Sequence, residues 1–297
     1  MAISSVKATI NGQEYSLTYN STDGTYQATI NAPSKSSFNQ SGGFFDVSVK
    51  ATDNAGNVTT VDSTDPTLGD SLKLYVKEKV APTIKVTSIS AGATLVNNTP
   101  DIIFEVTDDD SGVKTATLKV DGTAVSGLTK TAITNGYRYT YTPASALSDG
   151  SHSITVGATD NDDNAATDVS VSFKVDTTPP VLNVTAPVDG TWTNKKSATV
   201  TGTTNDAISS PVTVTIKVNG TDAGAVTVNS DGTFSKSVTL IEGANTIVVT
   251  STDKAGKSSS VTRTVNVNTV APTFTSVSLE PNPVDAGATY IIKVKVG

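Results

Sequence analysis

The segment "FFDVSVKATDNAGNVTT", residues 44–60, decides the fold, because it recurs twice along the chain. It returns as "SHSITVGATDNDDNAAT" at 151–167 and as "ANTIVVTSTDKAGKSSS" at 244–260. In each copy a glycine stands ten residues ahead of an aspartate: Gly43 and Asp53, Gly150 and Asp160, Gly243 and Asp253. Equal spacing without insertion marks a strand running into a turn, and self-similarity at long period marks an array of modules. Val47, Val49 and Ala51 fall on one side of a period-two pattern. Ile154, Val156 and Ala158 match them in the second copy, and Ile247, Val249 and Ser251 in the third. That period predicts a half-buried strand. The "TDNAGN" that follows reads as a hairpin turn, with Asp53 accepting backbone N–H groups and Gly56 at positive φ.

Other landmarks fall in step. Strands end in a polar residue and glycine at Gly12, Gly122 and Gly220. The closing strands "SLKLYVKEK", "DVSVSFKVD" and "SVTRTVNVN" each lead into a proline joint, at Pro82, Pro180 and Pro272, which are 98 and 92 residues apart. That length suits an antiparallel sandwich of about seven strands with turns every 8–12 residues. Short proline-bearing joints bend less than Gly/Ser linkers. The reading is therefore all-β, tandem sandwiches in a semi-rigid rod.

Composition removes several classes of function. The 297 residues include no cysteine, so neither a disulfide framework nor a thiolate metal site exists. No apolar run of about 18 residues is present, which predicts no membrane insertion. The opening "MAISSVKATING" has neither a basic nor an apolar region and predicts no secretory signal. A formal charge of −7 without clustered Lys and Arg disfavours nucleic acid. Abundant Thr, Ser, Val, Gly, Asn and Asp favour strands and tight turns.

The stretch "DGTFSKSVTLIEGANTIVVTSTDKAGKSSS", residues 231–260, resembles the bacterial immunoglobulin-like domains found in tandem arrays. Such arrays occur in surface adhesins and in tail, fibre or capsid-decorating proteins of phages and phage-like particles. The resemblance covers nearly the whole chain and departs from the pattern at "DNDDNAATD", residues 160–168. It implies a non-enzymatic structural or assembly protein of a virion or phage-like particle. Its partners would be other copies of itself, other particle proteins, or a host-surface glycan. The alternative it implies is a bacterial cell-surface adhesin or stalk.

Alignment on the Pro and Gly landmarks gives the modules. From Pro82 to Gly122 and from Pro180 to Gly220 the distance is 40 residues, but only 11 residues precede Gly12. Residues 1–79 therefore read as a partial module lacking its first two strands, 80–177 and 178–269 as full modules, and 270–297 as a ribbon. That ribbon resembles the first two strands of a further module. The two partial segments could meet within one chain, or the first could be a smaller self-sufficient sandwich. A third arrangement docks the ribbon on another subunit by strand addition, giving a ring or filament.

Catalytic chemistry finds little support. The single histidine, His152, has no second base beside it for a Ser/His/Asp arrangement. Trp192, in a turn, reads as a lid on the core. Glu105 could point inward as the buried carboxylate of an isopeptide bond, with no partner assignable. The one constellation with chemical content is acidic. The expected topology gathers Asp108, Asp109 and Asp110 near Asp160, Asp162 and Asp163, facing the joint that carries Glu78. Hard oxygen ligands converging there suit Ca²⁺. The loop departs from an EF-hand, with Ala165 in place of glycine and Val171 in place of glutamate. Two solvated Asx turns are the competing reading.

Overall fold

The computed structural model describes residues 2–297. Among them every regular element is a strand, apart from the 3-10 turns Ser37–Asn39 and Gly69–Leu72. No helix of the described residues is long and apolar enough to cross a membrane. The chain divides into two compact units, one ending at Val175 and the other spanning Asp176–Gly297.

The first unit opens with a single sheet. Its strands are β1 (Ile3–Ile10), β2 (Gln13–Asn20), β3 (Thr25–Gln27), β4 (Phe45–Asp53), β5 (Val58–Val61) and β6 (Lys73–Leu74). The order is β3-β2-β1-β4-β5, and β6 also pairs with β4. Asn11 and Gly12, at φ 50° and 75°, make the mirror-image turn that a two-residue hairpin needs. Val47, Val49 and Ala51 are only half-buried, and Ala8 and Phe45 are the buried apolar residues of this segment. Residues 1–79, read as a partial module lacking its first two strands, thus carry one connected sheet among the described residues. Residues 28–44 lie outside any strand and include the 3-10 turn Ser37–Asn39.

The same unit continues into a closed sandwich. Its strands are β7 (Thr83–Val86), β8 (Thr94–Leu95), β9 (Ile102–Thr107), β10 (Val113–Val120) and β11 (Thr123–Ala124). They are followed by β12 (Thr129–Ile133), β13 (Gly136–Tyr141), β14 (Gly150–Asp160) and β15 (Val169–Val175). One sheet runs β11-β10-β14-β15-β8 and the other β12-β13-β9-β7. Ile102, Phe104 and Val106 alternate inward from β9 and meet Leu118, Ile154, Val156 and Phe173 from the facing sheet. Phe104 stacks on Tyr139 with ring centroids 5.2 Å apart. Burying each such side chain contributes about 1.5–3 kcal/mol relative to exposure. The layer is not wholly antiparallel, since β8 joins β15 in parallel.

The second unit repeats the sandwich with β16 (Val181–Ala186), β17 (Thr191–Thr193), β18 (Ser197–Asn205), β19 (Thr213–Val218), β20 (Thr221–Asp222), β21 (Thr233–Thr239), β22 (Gly243–Thr252) and β23 (Ser258–Val267). Its sheets run β16-β18-β21 and β17-β23-β22-β19-β20, with β17 parallel to β23. Val200, Ile216, Phe234, Ile247 and Val249 fill the core. The outer faces explain the Thr/Ser content: Thr250 meets Ser260, and Thr252 meets Ser258, each at 2.8 Å across the β22–β23 pair. Beyond this sandwich, β24 (Phe274–Glu280) and β25 (Ile291–Val296) pair only with each other. Their register places Val277 opposite Val294 and Leu279 opposite Ile292, giving one apolar face whose residues are all exposed.

Candidate functional site

The turn after the repeated strand builds the acidic centre. In the first copy, Asp53 Oδ1 accepts the N–H groups of Ala55 (2.8 Å) and Asn57 (2.9 Å), while Oδ2 accepts Asn57 Nδ2 at 2.9 Å. The Asn57 side chain first, then the backbone donors, hold the Asp53 carboxyl below the ordinary aspartate range. Asp160 repeats the pattern, with Asn164 N at 2.8 Å from Oδ1 and Asn164 Nδ2 at 2.7 Å from Oδ2.

Asp108 follows β9 and accepts the N–H groups of Asp110 (3.0 Å) and Gly112 (2.6 Å), a tight turn in which Gly112 sits at φ 82°. Glu78 lies on the stretch between β6 and β7. Its carboxylate accepts the Ser111 hydroxyl at 3.0 Å and the Val80 N–H at 3.0 Å. One carboxylate oxygen each from Glu78, Asp108 and Asp160 falls within 4.8 Å of the others, with both aspartates buried and Glu78 half-buried.

The remaining expected ligands go elsewhere. Asp109 is exposed and accepts Asn135 Nδ2 at 2.6 Å. Asp110 turns to the first segment, where it accepts the Ser36 N–H at 3.0 Å and the Asn39 side chain. Asp163 pairs with Lys114 and, at 3.7 Å, with Lys77; the Lys114 hydrogen bond and charge hold its carboxyl below the ordinary range. Asp162 is buried beside the cluster. Its Oδ2 accepts the Glu78 N–H at 2.9 Å, whereas its Oδ1 has no hydrogen-bond partner. Of the seven residues expected at this joint, three converge.

A second cluster escaped the sequence reading. Asp176, Asp206 and Asp253 also bring one oxygen each within 4.8 Å of the others, and all three are buried. A legible signal existed: Asp176 and Asp206 each stand 98 residues after Glu78 and Asp108, the spacing of the proline joints. The third copy lacks an acidic run like "DNDDNAATD", and the three aspartates of this cluster are scattered singly along the chain.

Residues 82–156 match the family model described as Bacterial Ig domain, and residues 180–269 match that of Glucodextranase, domain B. These are tandem immunoglobulin-like domains. Bacillopeptidase F of Bacillus subtilis (strain 168) is 33% identical over 133 residues, which is 44% of this chain and 9% of that protein. The chain therefore spans a small fraction of its curated relative. Among solved structures, titin domains A168–A170 align at 13% identity and TM-score 0.42, over 88% of this chain and 86% of theirs. A structure of a 1.5-MDa bacterial ice-binding adhesin aligns at 23% identity and TM-score 0.33, over 90% and 88%.

Within the immunoglobulin-like domain of β7–β15, His152 is a buried structural residue. Nδ1 contacts Asp121 Oδ2 at 2.7 Å, Nε2 contacts the Ser148 carbonyl at 2.7 Å, and the ring lies on Phe173. Burial pushes the His152 pKa down, but the Asp121 hydrogen bond, the Ser148 carbonyl and the Asp121 charge outweigh it and leave the pKa raised. Burial likewise pushes Asp121 up, and the His152 and Ser153 bonds leave it lowered. Two further expectations are corrected. Trp192 is 71% exposed on the short β17, which lies against the edge of β23, so it does not lid the core. Glu105 points away from the core and binds Arg138 at 2.7 and 3.0 Å, because Phe104 and Val106 take the inward positions of β9.

Proposed function

We propose that this chain is a non-catalytic structural segment, in which immunoglobulin-like modules hold parts of a larger bacterial or phage assembly in fixed relation. The observation that carries this reading is the polar fastening inside the first unit. Asp110 takes the Ser36 N–H and the Asn39 side chain, and the Glu78 N–H donates to Asp162. Asn164 Nδ2 reaches the Glu78 carbonyl at 3.2 Å, so the connecting stretch itself is bonded to the second module. A tether meant to flex would leave those backbone groups to water. The engagement of both His152 nitrogens supports a non-catalytic role for the chain's only imidazole.

The setting we favour is a phage or phage-like particle, as a tail, baseplate, fibre or capsid-decorating component. The second reading is a bacterial surface stalk or adhesin, favoured by the Bacterial Ig domain match at residues 82–156. Gold-labelled antibody against residues 180–269, applied to cells and to particles released on lysis, separates them. Label on neither sinks both. In the particle, the ribbon of β24 and β25 joins a neighbouring subunit by strand addition at its edge, with the apolar face of Val277, Leu279, Ile292 and Val294 packing on the neighbour. Mass analysis of the chain, intact and ended before Val270, tests that link. Equal assembly by both forms would remove the ribbon from it.

A further inference from the structure

The motif turn differs in one respect between the copies. In the first two, an asparagine four residues after the aspartate satisfies both carboxylate oxygens: Asn57 for Asp53 and Asn164 for Asp160. In the third copy that position is Lys257, whose backbone N–H reaches Asp253 Oδ1 at 2.9 Å. Asp253 is 6% exposed, and its Oδ2 is left buried with no hydrogen-bond partner. This orphaned carboxylate belongs to the cluster with Asp176 and Asp206.

The neighbours do not neutralise the cluster. Asp176 accepts Thr178 and the Ser209 hydroxyl, and Asp206 accepts the N–H groups of Ile208 (2.8 Å) and Ser209 (2.6 Å). The ion pairs of the described residues include none of the three carboxylates. Buried carboxylates this close repel one another unless protons or a cation sit among them. A second buried oxygen, the Ser251 hydroxyl two residues before Asp253, also has no partner.

We propose that Asp176, Asp206 and Asp253 form a binding site for one divalent cation of the calcium class. The donors are all oxygens, with no thiolate anywhere in the chain, which selects against zinc and copper. Calcium accepts 6–8 oxygen ligands in adaptable geometry, so carboxylates already engaged on one oxygen still serve. The Glu78, Asp108 and Asp160 cluster offers the same donor class, but Asp160 there already has both oxygens bonded by Asn164. It provides the internal comparison.

The test uses the full chain, stripped with chelator and then given calcium chloride, with thermal unfolding of residues 176–269 followed by hydrogen exchange. Calcium at about a hundredfold excess over Kd should raise melting of that segment by about 10 °C or more in the wild type and in Glu78→Gln. Asp253→Asn, which keeps the acceptor for Lys257, should lose the response. In chelator it should melt at or above the wild type, because one repelling charge is gone. That reversal of sign between the two conditions is the signature of a cation site. A wild type whose melting ignores millimolar calcium overturns the proposal. So does an Asp253→Asn variant that is equally weakened with and without calcium. Native mass spectrometry of the wild type and of Asp206→Asn gives a readout independent of melting, and loss of one bound calcium in the variant is expected. Equal calcium content in the two would refute the assignment.

Discussion

At the scale of single residues, His152 and Asp121 form the clearest titratable pair. His152 has a folded pKa raised above its ordinary 6.5, so its stabilisation is full below that pH and is lost as pH rises through the raised value. Asp121 has a lowered pKa, so its share is present above 3.8 and lost as pH falls through the folded value. The domain of residues 80–175 should therefore be most stable in mildly acidic solution and melt earlier toward pH 9. His152→Gln should flatten the alkaline limb, as seen by circular dichroism melts. A limb of unchanged steepness in that variant would assign the effect to other groups. Little of this was legible in sequence. A lone histidine beside Ser151 gives no hint that the Asp121-Gly122 turn, thirty residues earlier, folds against its ring.

At the scale of elements, period-two alternation located β14 and β22 because each strand buries one face and wets the other, and β4 carries the same alternation in sequence with Val47, Val49 and Ala51 only half-buried. The short parallel strands β8 and β17 were not visible. Each has only two or three residues, too few to carry a period, and each exists because a partner edge is already in place. The same dependence on a neighbour sets the identity of Gly136, at the start of β13. A methyl group there would meet the Val106 carbonyl oxygen at 2.0 Å, a backbone atom that cannot swing aside. Gly136→Ala should destabilise the second module by about 1–3 kcal/mol by forcing β13 away from β9. Denaturant melts monitored by tyrosine fluorescence would measure this, and a neutral result would mean that the strand pair shifts without cost.

At the scale of the whole molecule, the two closed sandwiches share no core cluster, so each should unfold as its own cooperative unit. Phe104→Ala should cost about 3–5 kcal/mol in the second module and leave the transition of the third in place, by scanning calorimetry. A single transition that moves as one would show the modules to be energetically coupled. The repeat and its sandwich type could be read from 297 residues because turns, glycines and prolines recur at fixed spacing. The burial of Asp176, Asp206 and Asp253 could not, since it depends on three loops separated by 30 and 47 residues. The parallel pairing of β8 with β15, and of β17 with β23, also has a mechanical side. In each sandwich it ties a strand near the module's start to the strand at its end, pointing the same way. Tension applied through the two ends of a module pulls such a pair in opposite senses along its length. The load then falls on all the bonds of the patch together, in shear, rather than peeling them one by one. The third module, with three paired positions against two in the second, should be the last of the two to yield under a pulling force.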